Sequence, residues 1–206
     1  MIEKLITATR LLLGAVYTIN GFNWFCKIIT PYPSMSDFVH YMPPPDIVGA
    51  LIENGILFNL AKGIELATGI ALLANRMVPL SLVVAMTVTV MVFIVDAFKP
   101  HFKLRAFIMG SGSFTMNVTL LLAYYHYYRP MLAWKSASNS DPSVAASAEG
   151  GAIADMVGKL VRPIFGLLTV VSVLYGIVMV TWLVVMIGQY IADPKGIYEL
   201  HKLVPR

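Results

Sequence analysis

The stretch Gly55-Ile-Leu-Phe-Asn-Leu-Ala-Lys62-Gly-Ile-Glu65-Leu-Ala-Thr-Gly69-Ile-Ala-Leu-Leu-Ala-Asn75 is apolar and uninterrupted by proline, yet it holds two opposite charges. As a helix rising about 1.5 Å per residue it matches a hydrocarbon core of about 30 Å. A charge near the centre of that core costs at least about 2.5–3.5 kcal/mol on insertion scales, so such side chains face a bundle interior and have partners there. The segment therefore reads as a membrane helix with one face turned inward.

The rest of the chain supports that reading. Its 206 residues are 58% hydrophobic and only 13% charged, with a mean hydropathy of +0.74, well away from the roughly 25% charged residues of soluble domains. Four further apolar stretches follow the same logic. Residues 5–29 are too long for a signal-peptide core and lack a small-residue cleavage pattern, so they are expected to form an uncleaved first span. The second span, 55–75, is joined by the short connection Arg76-Met-Val78 to a third, 79–98, whose Pro79 suits a first helical turn. A fourth runs over 106–128 and ends in Tyr124-Tyr-His-Tyr-Tyr128 followed by Arg129, rings and a cation that mark a membrane boundary. The last apolar segment, 160–191, would extend about 48 Å as one helix and so must tilt or protrude.

Between the spans, residues 30–54 carry Pro31, Pro33 and Pro43-Pro-Pro45, which exclude a continuous helix there. The loop is expected to tuck back on the bundle or lie at the interface. Residues 136–155 have the Ser, Ala and Gly content of a flexible linker. The fold class that follows is an all-α integral membrane protein, a four-helix transmembrane bundle plus an additional C-terminal transmembrane helix. Its parts are a core over 1–132, a linker over 133–158, a long helix and tail over 159–202, and a tag-like Leu203-Val-Pro-Arg206. Lysines and arginines in the connections balance between the two sides, and setting aside Arg206 tips them towards a cytoplasmic N-terminus.

Helical spacing places the polar residues. Gly55, Lys62, Gly69 and Arg76 recur every seven residues, with Glu65 about 60° away at 100° per residue. Thr7, Gly14, Thr18 and Gly21 form a matching stripe on the first helix, near Arg10, Asn20 and Asn23. Because glycines let membrane helices approach closely, the two stripes are expected to pack together through Gly14, Gly21, Gly55 and Gly69. The third helix adds Thr87, Thr89 and Asp96, and the fourth adds Ser111, Ser113, Thr115 and Asn117, which gives a polar interior shared by four helices. The candidate ligand- or partner-binding residues are Lys62, Glu65, Asn20, Asn23, Arg10, Asp96 and Asn117. Lys62 and Glu65 have two readings of similar weight, an i,i+3 ion pair that locks the bundle or a pocket for a headgroup, a quinone carbonyl or a partner helix.

Several chemistries lose their support. The single Cys26 excludes an internal disulfide, a CxxC redox pair and a multi-cysteine cluster. His101 and His126 fall at opposite membrane faces, so one haem cannot join them, and a surface metal site using His40 with His101 is disfavoured. No GxSxG, HExxH, P-loop or dinucleotide fingerprint is present, so no catalytic residue and no metal ligand is assigned. The sequon at Asn117 lies inside a span and should stay unmodified. A net charge of +4 is spread between spans, which favours anionic lipid headgroups over nucleic acid as the counter-charge.

The order of elements adds one more expectation. Arg10-Leu-Leu-Leu-Gly14 with Asn20-Gly21, then Glu65-Leu-Ala-Thr-Gly69 through Arg76 and Pro79, resembles the DoxX-like family of small four-helix inner-membrane proteins, over residues 5–130. The chain departs from it at Phe22-Asn-Trp-Phe25, where members often have a lysine, at Asn75, where they have glycine, and in its fifth helix. The resemblance implies a bacterial inner-membrane bundle associated with redox enzymes or with assembly of other membrane proteins. The expected function is a non-catalytic subunit or assembly partner of a membrane complex, with membrane lipids and another membrane protein or a second copy as partners. A quinone-binding subunit of an oxidoreductase is the alternative, with quinone the cofactor it would need, and a small-molecule or lipid carrier comes third because no inverted repeat is evident.

Overall fold

The computed structural model describes residues 2–26, 51, 54–98, 104–128 and 152–192, and among these it is built of helices without a strand. Five helices are long and apolar enough to cross a membrane: α1 (Ile2–Cys26), α2 (Ile56–Leu73), α3 (Val78–Ala97), α4 (Leu104–Ala123) and α5 (Ala152–Ala192). A multipass membrane bundle is thus the architecture. The proline-bearing loop and most of the linker lie outside the described residues.

The boundaries differ from the expected ones for local reasons. The turn from α2 to α3 begins at Ala74 and puts Asn75 and Met77 at φ 54° and 49°. Asn tolerates this left-handed region, whereas Met does so only under constraint, here the need to start α3 immediately with Pro79 in its first turn. The fourth span, expected to run to Tyr128, closes at Ala123, and Tyr125–Tyr128 form a separate short turn beyond it. At the other end of the chain, α5 begins at Ala152, inside the expected linker, because Ala152-Ile-Ala154 propagate a helix once it is nucleated. Its 41 residues make a rod of about 60 Å, while the apolar part, Pro163–Gln189, is the length of a tilted span. The excess protrudes at the N-terminal side.

Antiparallel connections put α1 against α2 and α3 against α4, and α5 lies against both α1 and α4. The α1–α2 seam is packed backbone to backbone. A methyl group on Gly69 would stand 2.6 Å from Thr18 N, and one on Gly21 would stand 2.7 Å from Leu66 N, so backbone meets backbone where only hydrogen fits. Gly14 faces Gly69 and Leu73 in the same seam. Gly55 is a correction: among the described residues nothing lies within 4 Å of a methyl group placed on it, and at φ +70° it serves the turn before α2.

The α3–α4 seam is closed by Phe93 stacked on Phe114 at 4.6 Å and by Gly110 against Asp96 and Val92. Helix α5 seats Gly112 of α4 against its Met179 and Tyr175, and its own Gly176 against Leu12 and Met116. The apolar core therefore draws on α1 to α5, with Leu13, Val16, Leu72, Leu82, Met116 and Met179 among its members.

Candidate functional site

The interior contains more hydroxyls than its apolar lining suggests, and most are satisfied within their own helix. Thr9 donates to Leu5 O, Thr68 to Ile64 O, Thr89 to Ala85 O, Thr119 to Thr115 O and Thr169 to Phe165 O. These back-bonds offset the cost of burying a hydroxyl but leave only its acceptor side for a neighbour. Thr87 and Thr7, expected inward, are exposed. The polar interior includes α5 as well, through Thr169 and Ser172.

Proton counting then orients the bonds between helices. Tyr17 Oη lies 2.5 Å from Thr89 Oγ1, and since the Thr89 proton is directed to Ala85 O, Tyr17 must be the donor. Asn117 Nδ2 donates at 3.4 Å to both oxygens. In the same way Ser172 donates to Thr119 over 2.7 Å, because the Thr119 proton is taken by Thr115 O. Tyr17 from α1, Thr89 from α3 and Asn117 from α4 therefore form one buried junction. Asn117 is completely buried, and its Oδ1 has no partner among the described residues.

The charged pair stands one helix away. Lys62 Nζ and Glu65 Oε2 are 2.7 Å apart, with side chains 13% and 7% exposed. Glu65 occupies the middle of α2 and is buried there. Lys62, nearly one turn towards the N-terminal end, also lies over the Phe58 ring at 5.5 Å. Phe58 in turn meets Trp24 of α1 edge-on at 4.5 Å, and Trp24 Nε1 donates to Asn59 Oδ1 at 2.7 Å. A cation held between a carboxylate and an aromatic face is thereby anchored to the α1–α2 seam.

Arg10 is placed elsewhere. Buried to 8% exposure, it donates from its guanidinium to the Leu72 carbonyl, one of the last four carbonyls of α2, which have no partner inside the helix. The backbone N–H of Arg76 covers Ala71 O at 2.9 Å beside it. Arg10 is thus a cap on α2, and it does not converge with Lys62 and Glu65.

Of the other candidates, Asn23 is buried near the end of α1 that carries Trp24, Asn20 is half-buried, and Asp96 is half-buried at the far end of α3 against Gly110. His126 is exposed with its ring 4.1 Å from Tyr127, while His40 and His101 lie outside the described residues. Among the described residues no three His, Cys, Asp or Glu side chains gather to hold a metal ion. Beyond the fourth span, Tyr128 donates to Pro79 O at 2.7 Å. Partial burial, and then the nearby Tyr124, push its phenol up to about 12.

Sequence reasoning missed Tyr17, the hub of the junction. One signal was available: tyrosine favours the membrane interface, and Tyr17 stands in mid-span with Gly14 and Gly21 on either side. No protein-family model, curated protein or solved structure matches the chain.

Proposed function

We propose that this chain is a non-catalytic multipass subunit or assembly partner of a membrane complex. The observation that carries the reading is that the ionisable interior is occupied with holding the bundle. Glu65 and Lys62 neutralise one another, Arg10 caps α2, and the Tyr17 proton is committed to Thr89. Groups that would serve as acid, base or nucleophile must be free to exchange protons with a substrate, and these are bound to helices. The DoxX-like resemblance of Arg10 to Gly14 and Glu65 to Gly69 agrees with this role, in a bacterial inner membrane with the N-terminus in the cytoplasm and a redox enzyme as a candidate host.

Crosslinking in intact membranes followed by gentle purification tests it. The expected result is a defined membrane protein recovered in fixed ratio with the chain. Recovery of the chain alone, with its cellular activity reconstituted in liposomes, overturns it.

One observation favours the quinone-binding alternative. Lys62 lies over the Phe58 ring, which in turn meets Trp24, and an aromatic wall beside a donor and an acceptor suits a flat ring with carbonyl groups. Organic extraction with mass spectrometry should then recover quinone in stoichiometric amount, and its absence removes this reading.

A further inference from the structure

The α2 C-terminus concentrates positive charge, and among the described residues no carboxylate pairs with it. Arg10 is more than nine-tenths buried there, and its hydrogen bond among the described residues goes to the Leu72 carbonyl. A guanidinium has five N–H donors, so most of its capacity is left over. Arg76 follows directly, its backbone fastened to Ala71 O and its side chain exposed. Among the described residues the sole ion pair is Lys62–Glu65, in the other half of α2. Glu3, two turns before Arg10, is exposed and forms no ion pair with it. The negative end of the α2 dipole offsets about half a charge, which leaves about one and a half of the two positive charges to be balanced.

The surroundings indicate what balances them. The end of α2 is the end of a membrane span, the depth at which lipid headgroups lie. Leu11, Leu73, Met77 and Leu80, neighbours in sequence of the two arginines and of the capped carbonyls, are exposed apolar side chains. An anion with several acceptor oxygens fits the planar donor fork of arginine, and one attached to acyl chains also covers the leucines. We propose that Arg10 and Arg76 form a binding site for the phosphate of an anionic membrane phospholipid at the C-terminal end of α2. Free phosphate would satisfy the arginines but would leave the apolar rim uncovered.

The chain in nanodiscs of phosphatidylcholine, with or without phosphatidylglycerol, tests the site by thermal unfolding and by native mass spectrometry. The wild type should unfold at a higher temperature in the anionic discs and retain a phosphatidylglycerol molecule on release. Arg76→Gln, at an exposed position, should lose part of the shift and bind the lipid several-fold more weakly. Arg10→Gln should lose nearly all of the shift, and if it fails to fold, the wild type and Arg76→Gln still decide. Equal unfolding temperatures in both discs, or an unchanged shift in Arg76→Gln, overturn the site. So does inorganic phosphate that reproduces the full shift in phosphatidylcholine alone, since the ligand is then not a lipid. The measurement uses the chain by itself, so its failure leaves the complex-partner reading in place, and the reverse also holds.

Discussion

The α1–α2 seam and the seat of α5 on α4 both use glycines, but they use them against different atoms. At Gly21 and Gly69 the opposing atoms are backbone, Leu66 N and Thr18 N. At Gly112 they are the Met179 sulfur and the Tyr175 ring. Backbone cannot retreat without moving a helix, whereas a methionine side chain swings aside at small cost. The difference teaches that α1 and α2 form a rigid pair that fixes the charged residues, and that α5 closes the bundle through a contact able to adjust.

The largest break should come from the charges in the rigid pair. Glu65→Leu leaves the Lys62 ammonium without its carboxylate in a buried setting, at a cost of about 3–5 kcal/mol. The double variant Lys62→Met with Glu65→Leu should regain most of that loss, because two apolar side chains of similar volume need no partner. Equilibrium unfolding in mild detergent measures both. A double variant as unstable as the single one would show that the charges hold something besides each other.

Next come the glycines of that seam. Gly69→Ala or Gly21→Ala should destabilise by about 1–3 kcal/mol, the usual cost of forcing extra volume into a packed contact. Gly112→Ala, opposite the flexible Met179, should cost less than about 1 kcal/mol. Equal losses at Gly69 and Gly112 would erase the distinction between the two seams. Gly63, with nothing among the described residues within 4 Å of an added methyl, calibrates the series. Its alanine variant should gain about 0.5–1 kcal/mol from helix propensity alone.

The smallest effect concerns pH. Tyr128 donates to Pro79 O and is held neutral up to about 12, against an ordinary value of 10.0. A raised folded value means that its contribution is complete below pH 10.0 and fades as pH rises towards 12. Thermal unfolding scanned across that window should fall more steeply for the wild type than for Tyr128→Phe. Parallel curves would show that the hydroxyl does not secure the turn after α4 to the start of α3.

Much of the site is legible in the order of residues alone. Seven-residue spacing places Lys62 and Gly69 on one stripe, and Gly14 with Gly21 on another, because a helix repeats nearly in register over two turns. Spacing says nothing of which atoms lie opposite, so Gly55 shares the period of its companions while the turn before α2 claims it. Arg10 likewise stands near the first stripe, but its hydrogen bond to the Leu72 carbonyl at the end of α2 takes it away from the charged pair.

The sequence by itself determined the class of the molecule, the five spans and the inward face of α2, since these depend on hydropathy, length and helical period, all local properties of the chain. Tertiary structure alone decided the rest. Tyr17, Thr89 and Asn117 are separated by tens of residues, and they meet only because α1, α3 and α4 converge. Their hydrogen bonds are directional over a few ångströms, so helix placement, which no local pattern encodes, decides which polar groups become partners.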